Sequence, residues 1–406
     1  MGFAADLHVH LGRTSSGRPV KIGASKFLTL DGSLNAALRK GIQLLGIVDF
    51  VPGIIEEALE HLSSGKCVES AGGGLSYRCG VTVVPGLEME IRPEGRGPAH
   101  FVALFPDMDG IRRMSEWTRA RQSNPHLSSQ VLRAPAEEAF SASLEWGGTF
   151  WPAHSFTPHK GFYGSCAGSY RDVFSHGDSF TALELGLSAD TQMADVLPEA
   201  RSALLITASD CHGPETLARE FMLIRGPVSF EGIWSAARAG KGAQWPVEAN
   251  YGLEPRLGKY HRTACPECGW IAAGPAPAAG PCPVCGRTRL TTGVKDRIAI
   301  LAREQAASPE SDVKPGKRPG YVYQVPLAFM PGVGPGLRAC LRRAFGDESF
   351  ALHRATYGEI AGVAGEKVAA YIAAARSGNI VVSDGGGGQY GRILGIRPPE
   401  QVTSSS

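Results

Sequence analysis

Asp6-Leu7-His8-Val9-His10, close to the start of the chain, and Ser209-Asp210-Cys211-His212, far downstream, each end an apolar run. On a strand, residues i and i+2 share a face, so His8 and His10 converge on one point, as do Asp210 and His212. Pairs of ligand-type residues at two strand ends are what a multinuclear metal site at the mouth of a barrel requires. Metal-ion hydrolysis is the chemistry they suggest.

Outward from these pairs, short apolar runs alternate with helix-like stretches up to about residue 250. Residues 44–49, 81–86, 101–105, 148–151, 182–185 and 203–207 read as buried strands, while 33–40 and 54–62 carry apolar residues at helical spacing. Strand and helix in strict succession imply a parallel sheet, and this many repeats favour a closed α/β barrel. Asp49, Glu88, Glu90, His100, His154, Asp210 and His212 recur at or just after strand ends, the face on which such barrels place their active sites.

The 406 residues suffice for one large domain and one or two small ones, with a formal charge of only +2, so no global field draws the chain to nucleic acid or membrane. No apolar run approaches the length of a membrane span, and residues 1–5 lead directly into the Asp-His segment without a signal peptide. A cytoplasmic protein with no membrane partner is expected. Of nine cysteines, Cys67, Cys79, Cys166, Cys211 and Cys340 are scattered, which argues for free thiols rather than disulfides.

The other four form Cys265-Pro266-Glu267-Cys268 and Cys282-Pro283-Val284-Cys285, separated by thirteen residues rich in Gly, Ala and Pro that cannot build a core. The spacing is that of a zinc ribbon over 257–303, in which one structural zinc replaces the missing core; contact with DNA and a bracing role both remain open. A Pro, Lys and Ser rich linker, 304–320, separates it from a small all-α segment, 321–406, and the barrel takes 1–256. In that segment Gly332-Val333-Gly334 and Gly362-Val363-Ala364-Gly365 each precede a helix, at 337–345 and 368–376, the pattern of a helix-hairpin-helix pair. Gly332, Gly334 and Lys367 are candidates to hold a phosphate, with Arg338, Arg342 and Arg343 supplying charge; the competing reading is a glycine-capped bundle with no ligand. The run 384–392, Gly-rich, is either a phosphate or base clasp or a loose turn.

The order Asp6 to His10, Glu88 after Val84-Pro85-Gly86, His100, Pro152-Ala153-His154 and Ser209 to His212 resembles the polymerase and histidinol phosphatase (PHP) family. That resemblance implies a distorted (β/α)7 barrel with two or three divalent cations (Zn, Mn or Mg). It makes His8, His10, Glu88, Asp210 and His212 the catalytic set, and His8, His10, Asp49, Glu88, His100, His154, Asp210 and His212 the candidate ligands. His61, His126, His176 and His353 read as ordinary polar residues. One departure stands out: Phe50 follows Asp49, and no histidine lies between His10 and His61. Asp49, His212 or His261 is left to hold a third ion, or the site is binuclear.

Gly12-Arg13-Thr14-Ser15-Ser16-Gly17-Arg18-Pro19-Val20-Lys21, Leu127-Ser128-Ser129-Gln130, His154-Ser155-Phe156-Thr157-Pro158-His159-Lys160, Glu184-Leu185-Gly186-Leu187, Ala249-Asn250-Tyr251-Gly252-Leu253 and Leu257-Gly258-Lys259-Tyr260-His261 are similar to the bacterial branch of the endonuclease Q family. The resemblance implies a DNA repair endonuclease that nicks 5′ to deaminated bases (uracil, hypoxanthine, xanthine) or abasic sites, leaving 3′-hydroxyl and 5′-phosphate ends. Its partner would be double-stranded DNA carrying such a nucleotide, in the nucleoid; a monomer is expected and a sliding clamp is a candidate recruiter. Arg13, Lys21, Lys160 and Arg171 are candidates for phosphates, Ser128, Ser129, Gln130, Asn250 and Tyr251 for base contacts, and Phe156, Phe162 or Tyr163 for a stacking or wedging ring. The alternative is a phosphomonoesterase acting on a small phosphorylated substrate. With no Gly-x-x-x-x-Gly-Lys-Ser/Thr loop in the sequence, an ATP-driven helicase is not supported.

Overall fold

A computed structural model describes residues 2–175, 180–238, 245–274, 280–308, 310–314 and 316–397. His176 and the last residues of the 321–406 segment lie outside them. The first part of the chain runs β1 (Gly2–Val9), α1 (Leu30–Lys40), β2 (Leu44–Ile47), α2 (Pro52–Ser63), β3 (Cys67–Glu69), β4 (Leu75–Tyr77), β5 (Thr82–Ile91), β6 (Ala99–Leu104), α3 (Met108–Arg119), β7 (Val131–Leu132), α4 (Ala136–Glu145) and β8 (Trp151–Pro152). It continues with β9 (Leu183–Glu184), α5 (Thr191–Asp195), β10 (Leu205–Ile206), β11 (Phe221–Arg225), α6 (Phe230–Arg238) and β12 (Val247–Leu253). After the cysteine pairs come α7 (Val294–Glu304), β13 (Gly320–Gln324), α8 (Pro335–Phe345), α9 (Glu348–His353), α10 (Tyr357–Ala364), α11 (Glu366–Arg376), β14 (Ile380–Ser383) and β15 (Arg392–Ile396).

The fold is α/β, but its sheet is mixed where strict alternation predicts a parallel one. The order is β13-β12-β11-β1-β2-β5-β4-β3, with β6 and β7 on β5 and β8 on β6. β1, β2 and β5 are parallel neighbours, whereas β5 and β6 are joined by a short turn with no crossover helix and therefore run antiparallel. Every residue of β5 and β6 is buried, so these strands are covered on both faces. β9 and β10 form a separate parallel pair. Backbone bonds carry the ring onward: Ser155 N donates to Glu184 O (2.9 Å), His10 N to Cys211 O (3.0 Å) and Cys211 N to His8 O (3.2 Å).

Two apolar layers line this ring. Phe3, Ala5 and Leu7 pack with Val84, Val102, Trp151 and Ile206 in one cluster, while Ala4, Val9 and Leu11 belong to the other, with Leu45, Ile47 and Phe101. The odd-numbered residues of β1 thus change layers between Leu7 and Val9. The cause is a register shift against β2, where Asp6 pairs Leu45 but Val9 pairs Ile47. A bulge of this kind inserts one residue and re-aims the side chains beyond it. It turns His8 and His10 to the side that Leu7 occupies.

Two expectations for the later segments change. β13 is the sheet's edge strand, parallel to β12, so residues 320–324 belong with the first part and not with the tail. The stretch before it is fastened down as well: Arg318 binds Asp195 (2.7 Å) and the backbone oxygen of Ala200 (2.7 Å). The tail is not purely helical, because the glycine-rich run connects an antiparallel hairpin of β14 and β15. Consecutive glycines, 385–388, read as a breaker, and the valines and isoleucines flanking this run supply the strands. Helices α8 to α11 have their own core around Leu341, Ile360, Ala369 and Ile372, which also takes in Leu253 and Leu257. Among the described residues no helix is long and apolar enough to cross a membrane.

His353 at the end of α9 joins the tail to the sheet: Nε2 lies 3.0 Å from Gln324 Oε1, and its ring meets Tyr251 edge-on at 4.8 Å. Burial, with Arg376 and Arg354 nearby, pulls its pKa from 6.5 down to about 4. The unfolded chain therefore takes up this proton first, and stability present above pH ~6.5 is lost as pH falls toward ~4. His353→Gln should abolish about 2 kcal/mol of that loss, read as the difference between urea midpoints at pH 7 and pH 4.5 for the two proteins. Equal pH dependence in both would remove His353 from the account.

Candidate metal centre

The bulge in β1 places His8 and His10, both fully buried, with their Nε2 atoms 3.1 Å apart. Each ring is held from behind by a carboxylate on its Nδ1: Glu184 at 3.0 Å for His8 and Asp49 at 3.0 Å for His10. A carboxylate only accepts, so Nδ1 carries the proton and Nε2 faces the interior, the orientation that metal-binding imidazoles take. Asp210 completes this group, its Oδ1 lying 3.4 Å from His10 Nε2 and 3.7 Å from His8 Nε2.

The second group is built on β5 and β6. Glu88 and Glu90 share a face of β5, and His100 of β6 stands opposite Glu90 in register. Glu88 Oε1 approaches His100 Nδ1 (2.8 Å), His8 Nε2 (3.4 Å) and His154 Nε2 (3.7 Å), so one carboxylate touches both groups. Although His100 is buried and close to Glu88 and Glu90, neither ring nitrogen makes a directed hydrogen bond. A buried imidazole without an aligned partner costs free energy unless something else engages it. His8, His10 and Asp210, and likewise Glu88, His100 and His154, each offer ligand atoms within 4.8 Å of one another.

Electrostatics points the same way. Burial opposes charge on Glu88, but His100, Lys21 and His10 outweigh it and hold the carboxyl well below its usual range. Asp210 is likewise driven well below it against burial, by His10, His8, His154 and His212. Burial also opposes the imidazolium of His8, yet Glu184, Glu88 and Asp210 raise it well above an ordinary histidine. Buried carboxylates that force protons onto neighbouring imidazoles form a site that gains from a divalent cation.

Backbone strain is concentrated here. Among the described residues five that are not glycine have positive φ, and four of them lie at the site: Ser129 (55°), His154 (33°), Lys160 (57°) and Asp210 (45°). Such conformations persist only when the surroundings fix them. Gly186, with φ of 72°, lets the chain pass His154; a Cβ there would stand 3.1 Å from that of His154. Arg219 holds Asp210 by donating to Ser209 O (2.8 Å) and Asp210 O (3.1 Å), and Asp6 accepts from the amides of Ser209 and Ala218 at 3.0 Å.

The remaining sequence candidates divide. Asp49 stands behind His10, its oxygens taken by His10, Ser128 Oγ and Leu11 N (2.6 Å), and outside either ligand group. His212 lies beside His10, ring centres 4.5 Å apart, but turns Nδ1 to Asp210 O at 3.0 Å. His261 is buried with Nδ1 at 3.4 Å from Ser188 O, outside both groups. Lys21 is drawn inside: its Nζ is 2.8 Å from Glu88 Oε2, 2.9 Å from His10 Nε2 and 2.8 Å from Ser129 Oγ. Ser129 Oγ also donates to Glu88, and Lys160 pairs with Glu90 at 2.7 Å. Gln130 bonds Ser128 O at 3.3 Å, and Arg13 is exposed.

Others are not brought to the site. Tyr251 stacks on Phe221 at 4.5 Å between β11 and β12, and Asn250 is buried against Leu205 O at 3.0 Å. Phe156, Phe162 and Tyr163 are core residues, closed to a base. Arg171 pairs with Glu310. Gly332, Gly334 and Lys367 are exposed on the tail, where Gly332 has φ of 84° and Gly334 caps α8. The four cysteines do assemble: Cys265 and Cys285 Sγ are 3.6 Å apart and Cys268 and Cys282 3.5 Å, near the ~3.8 Å that a tetrahedron of ~2.3 Å zinc-sulfur bonds requires.

Sequence reasoning missed Glu184, Arg219 and the bracketing role of Asp6. A signal existed for Glu184, the single acid inside the apolar run 182–185. Nothing marked Arg219.

An α/β fold with two convergent sets of buried imidazoles and carboxylates defines a metal-dependent hydrolase. The chain is 42% identical over 394 residues to the uncharacterized protein YqxK of Bacillus subtilis, covering 96% of this chain and 98% of that one. No family model matches it. Among solved structures, the lesion-specific endonuclease PfuEndoQ from Pyrococcus furiosus is 31% identical with a TM-score of 0.79, over 100% of this chain and 98% of that one. A second, endonuclease Q in complex with a 27-mer duplex substrate with an abasic lesion at the active site, gives 31% and 0.80, over 100% and 99%. The chain belongs to the endonuclease Q family.

Glu184 tests the site without touching a ligand atom. Glu184→Ala should lower metal affinity about 10- to 100-fold, measured as metal retained by the folded protein during titration with a competing chelator. Unchanged retention would show that His8 needs no such partner.

Proposed function

We propose that this enzyme is a DNA repair endonuclease that nicks the phosphodiester 5′ to a deaminated base or an abasic site, leaving 3′-hydroxyl and 5′-phosphate ends. The observation that carries the reading is Glu88, one buried carboxylate reaching both ligand groups. His8, His10, Glu88 and Asp210 would hold one cation, and Glu88, His100 and His154 a second; zinc or manganese suits so many imidazoles better than magnesium. When bound, the cations supply charge for the scissile phosphate and acidify water. Asp49 and Glu184 keep His8 and His10 in the tautomer that faces inward. Lys21, near Glu88 and Asp210, adds a fixed positive charge on the side where His212 lies.

The hydrogen bonds joining Ser155 to Glu184 and Cys211 to His8 and His10 support a (β/α)7 barrel of β1, β2, β5, β6, β8, β9 and β10. The cysteine geometry supports a zinc ribbon, and the exposed Gly332 to Gly334 turn before α8, with Lys367, supports a helix-hairpin-helix contact to DNA phosphates. Duplex DNA as substrate implies action in the cytoplasm at the nucleoid.

A duplex bearing one uracil, hypoxanthine or abasic residue should be nicked once, 5′ to the lesion, in a reaction abolished by chelation. Asp210→Ala should lower the rate by about 100-fold or more while leaving lesion-duplex binding nearly intact. Hydrolysis of p-nitrophenyl phosphate without nicking would favour the small-substrate phosphatase instead.

A further inference from the structure

The loop from β1 to α1 has an unusual make-up. Residues 11–30 include Arg13, Arg18, Lys21 and Lys26 and no acid before Asp31. The loop is tied to the metal centre: Gly12 N donates to Leu28 O (2.7 Å), Ser25 N donates to His212 O (2.7 Å), and Lys21 reaches Glu88. A Cβ on Gly12 would meet Ser25 O at 2.1 Å, so only glycine permits this closure.

Two tight turns project from that fastening. The first is closed by Ala24 N donating to Lys21 O (3.1 Å), the second by Leu28 N donating to Ser25 O (3.0 Å). The middle of a turn usually carries Gly, Asn, Asp or Ser. Here the first holds Ile22, 82% exposed, and the second Phe27, 68% exposed; Ile22 is the most exposed large apolar side chain among the described residues. Single exposed apolar residues need no explanation, but two on adjacent turns beside a metal centre do. The Lys26 ammonium lies 5.3 Å from the Phe27 ring centre, so charge and ring are presented together.

We propose that Ile22 and Phe27 are the wedge that enters the duplex beside the target nucleotide and fills the space its base leaves. The proposal rests on the endonuclease reading above. The occupant is duplex DNA on two grounds: the loop is cationic and lacks acids, and it is continuous with the centre that would meet the scissile phosphate. His8, His10, Glu88 and His100 are buried, so the centre reaches only a backbone drawn out of regular geometry, and an extruded base leaves its neighbours unstacked. Apolar side chains inserted at such a step replace lost stacking and hold the duplex kinked, while cations beside them hold the phosphates. The aromatic residues that follow His154 cannot serve, since Phe156, Phe162 and Tyr163 are in the core.

The test combines Ile22→Ala and Phe27→Ala, both at exposed positions, and compares single-turnover nicking of a fully paired uracil duplex with that of the same lesion in an unpaired bubble. Metal content is measured on both proteins. The double variant should nick the paired duplex about tenfold or more slowly, yet match the wild type within about twofold on the bubble, where extrusion is already done. 2-Aminopurine placed next to the lesion should brighten with the wild type and not with the variant. Phe27→Trp should keep the paired-duplex rate. Equal rates on the paired duplex, or equal loss on both substrates, would overturn the wedge. A wild type that nicks neither substrate would instead overturn the endonuclease reading, and the wedge with it.

Discussion

Two fully buried imidazoles with their nitrogens held 3.1 Å apart set the terms for everything around them. Charge removed from water is tolerated only when it is paired and hydrogen-bonded. The surroundings meet that demand in layers: Glu88 and Asp210 in front of His8 and His10, Glu184 and Asp49 behind them, and Trp151 Nε1 and Ser128 Oγ behind those carboxylates in turn. The buried set still carries more carboxylate than its neighbours neutralise without forcing protons onto histidine. Its deficit is the positive charge that a divalent ion brings. The fold exists in this form because a bulge in β1 gives up one ladder position to aim two rings inward.

Strain is distributed by the same logic. His154 and Asp210 both follow short strands and both take the left-handed conformation. Continuing either strand would carry the side chain past the mouth of the ring, and the reversal returns it toward Glu88 and His10. For Asp210 this conformation is sustained by Arg219, whose guanidinium spans the carbonyls of Ser209 and Asp210, and by Asp6, which pins Ser209 N and Ala218 N. Asp6 is buried enough for its pKa to rise to about 6 despite these bonds, burial being the larger effect.

How much of this could be read beforehand follows from range. The pairing of His8 with His10 depends only on strand periodicity, and the Cys-x-x-Cys pairs only on spacing, so both were legible. The convergence of Glu88, His100 and His154 rested on a motif order shared with a family, because no local rule says which strand ends meet. The parallel-sheet expectation failed at β5 and β6 because the strand read as ending at Gly86 runs on to Ile91, leaving seven residues before Ala99 where a crossover needs about a dozen. Asp49 and Glu184 are the same residue type as Asp210 and Glu88. Only their hydrogen bonds to Nδ1 atoms separate them from the groups in front. Phe156, Phe162 and Tyr163 looked suitable for a base because they lie near His154 in sequence, yet an aromatic ring is more useful to a core than to a surface. The exposed pair, Ile22 and Phe27, carries no motif.

The tail and the metal centre are physically joined, although sequence separates them widely. Tyr390, in the loop between β14 and β15, accepts from Arg219 Nη1 at 2.5 Å, while the other nitrogens of that guanidinium hold the Asp210 loop. The same loop lies against the start of the cysteine-bearing segment: Gly388 N donates to Lys259 O (3.1 Å), Gly385 N to Arg256 O (2.7 Å), and Asp384 pairs with Arg256 at 2.6 Å. Gly385 has no room for a side chain, a Cβ lying 2.2 Å from Gly258 O, which is why the run is glycine-rich there. One arginine thus divides three hydrogen bonds between the Asp210 loop and a hairpin that rests on the start of the cysteine-bearing segment. A guanidinium is planar and rigid, so the hairpin cannot shift without moving donors that Asp210 relies on. Docking of the C-terminal segments and the shape of the centre are consequently one mechanical problem, solved by a residue that touches neither ligand group.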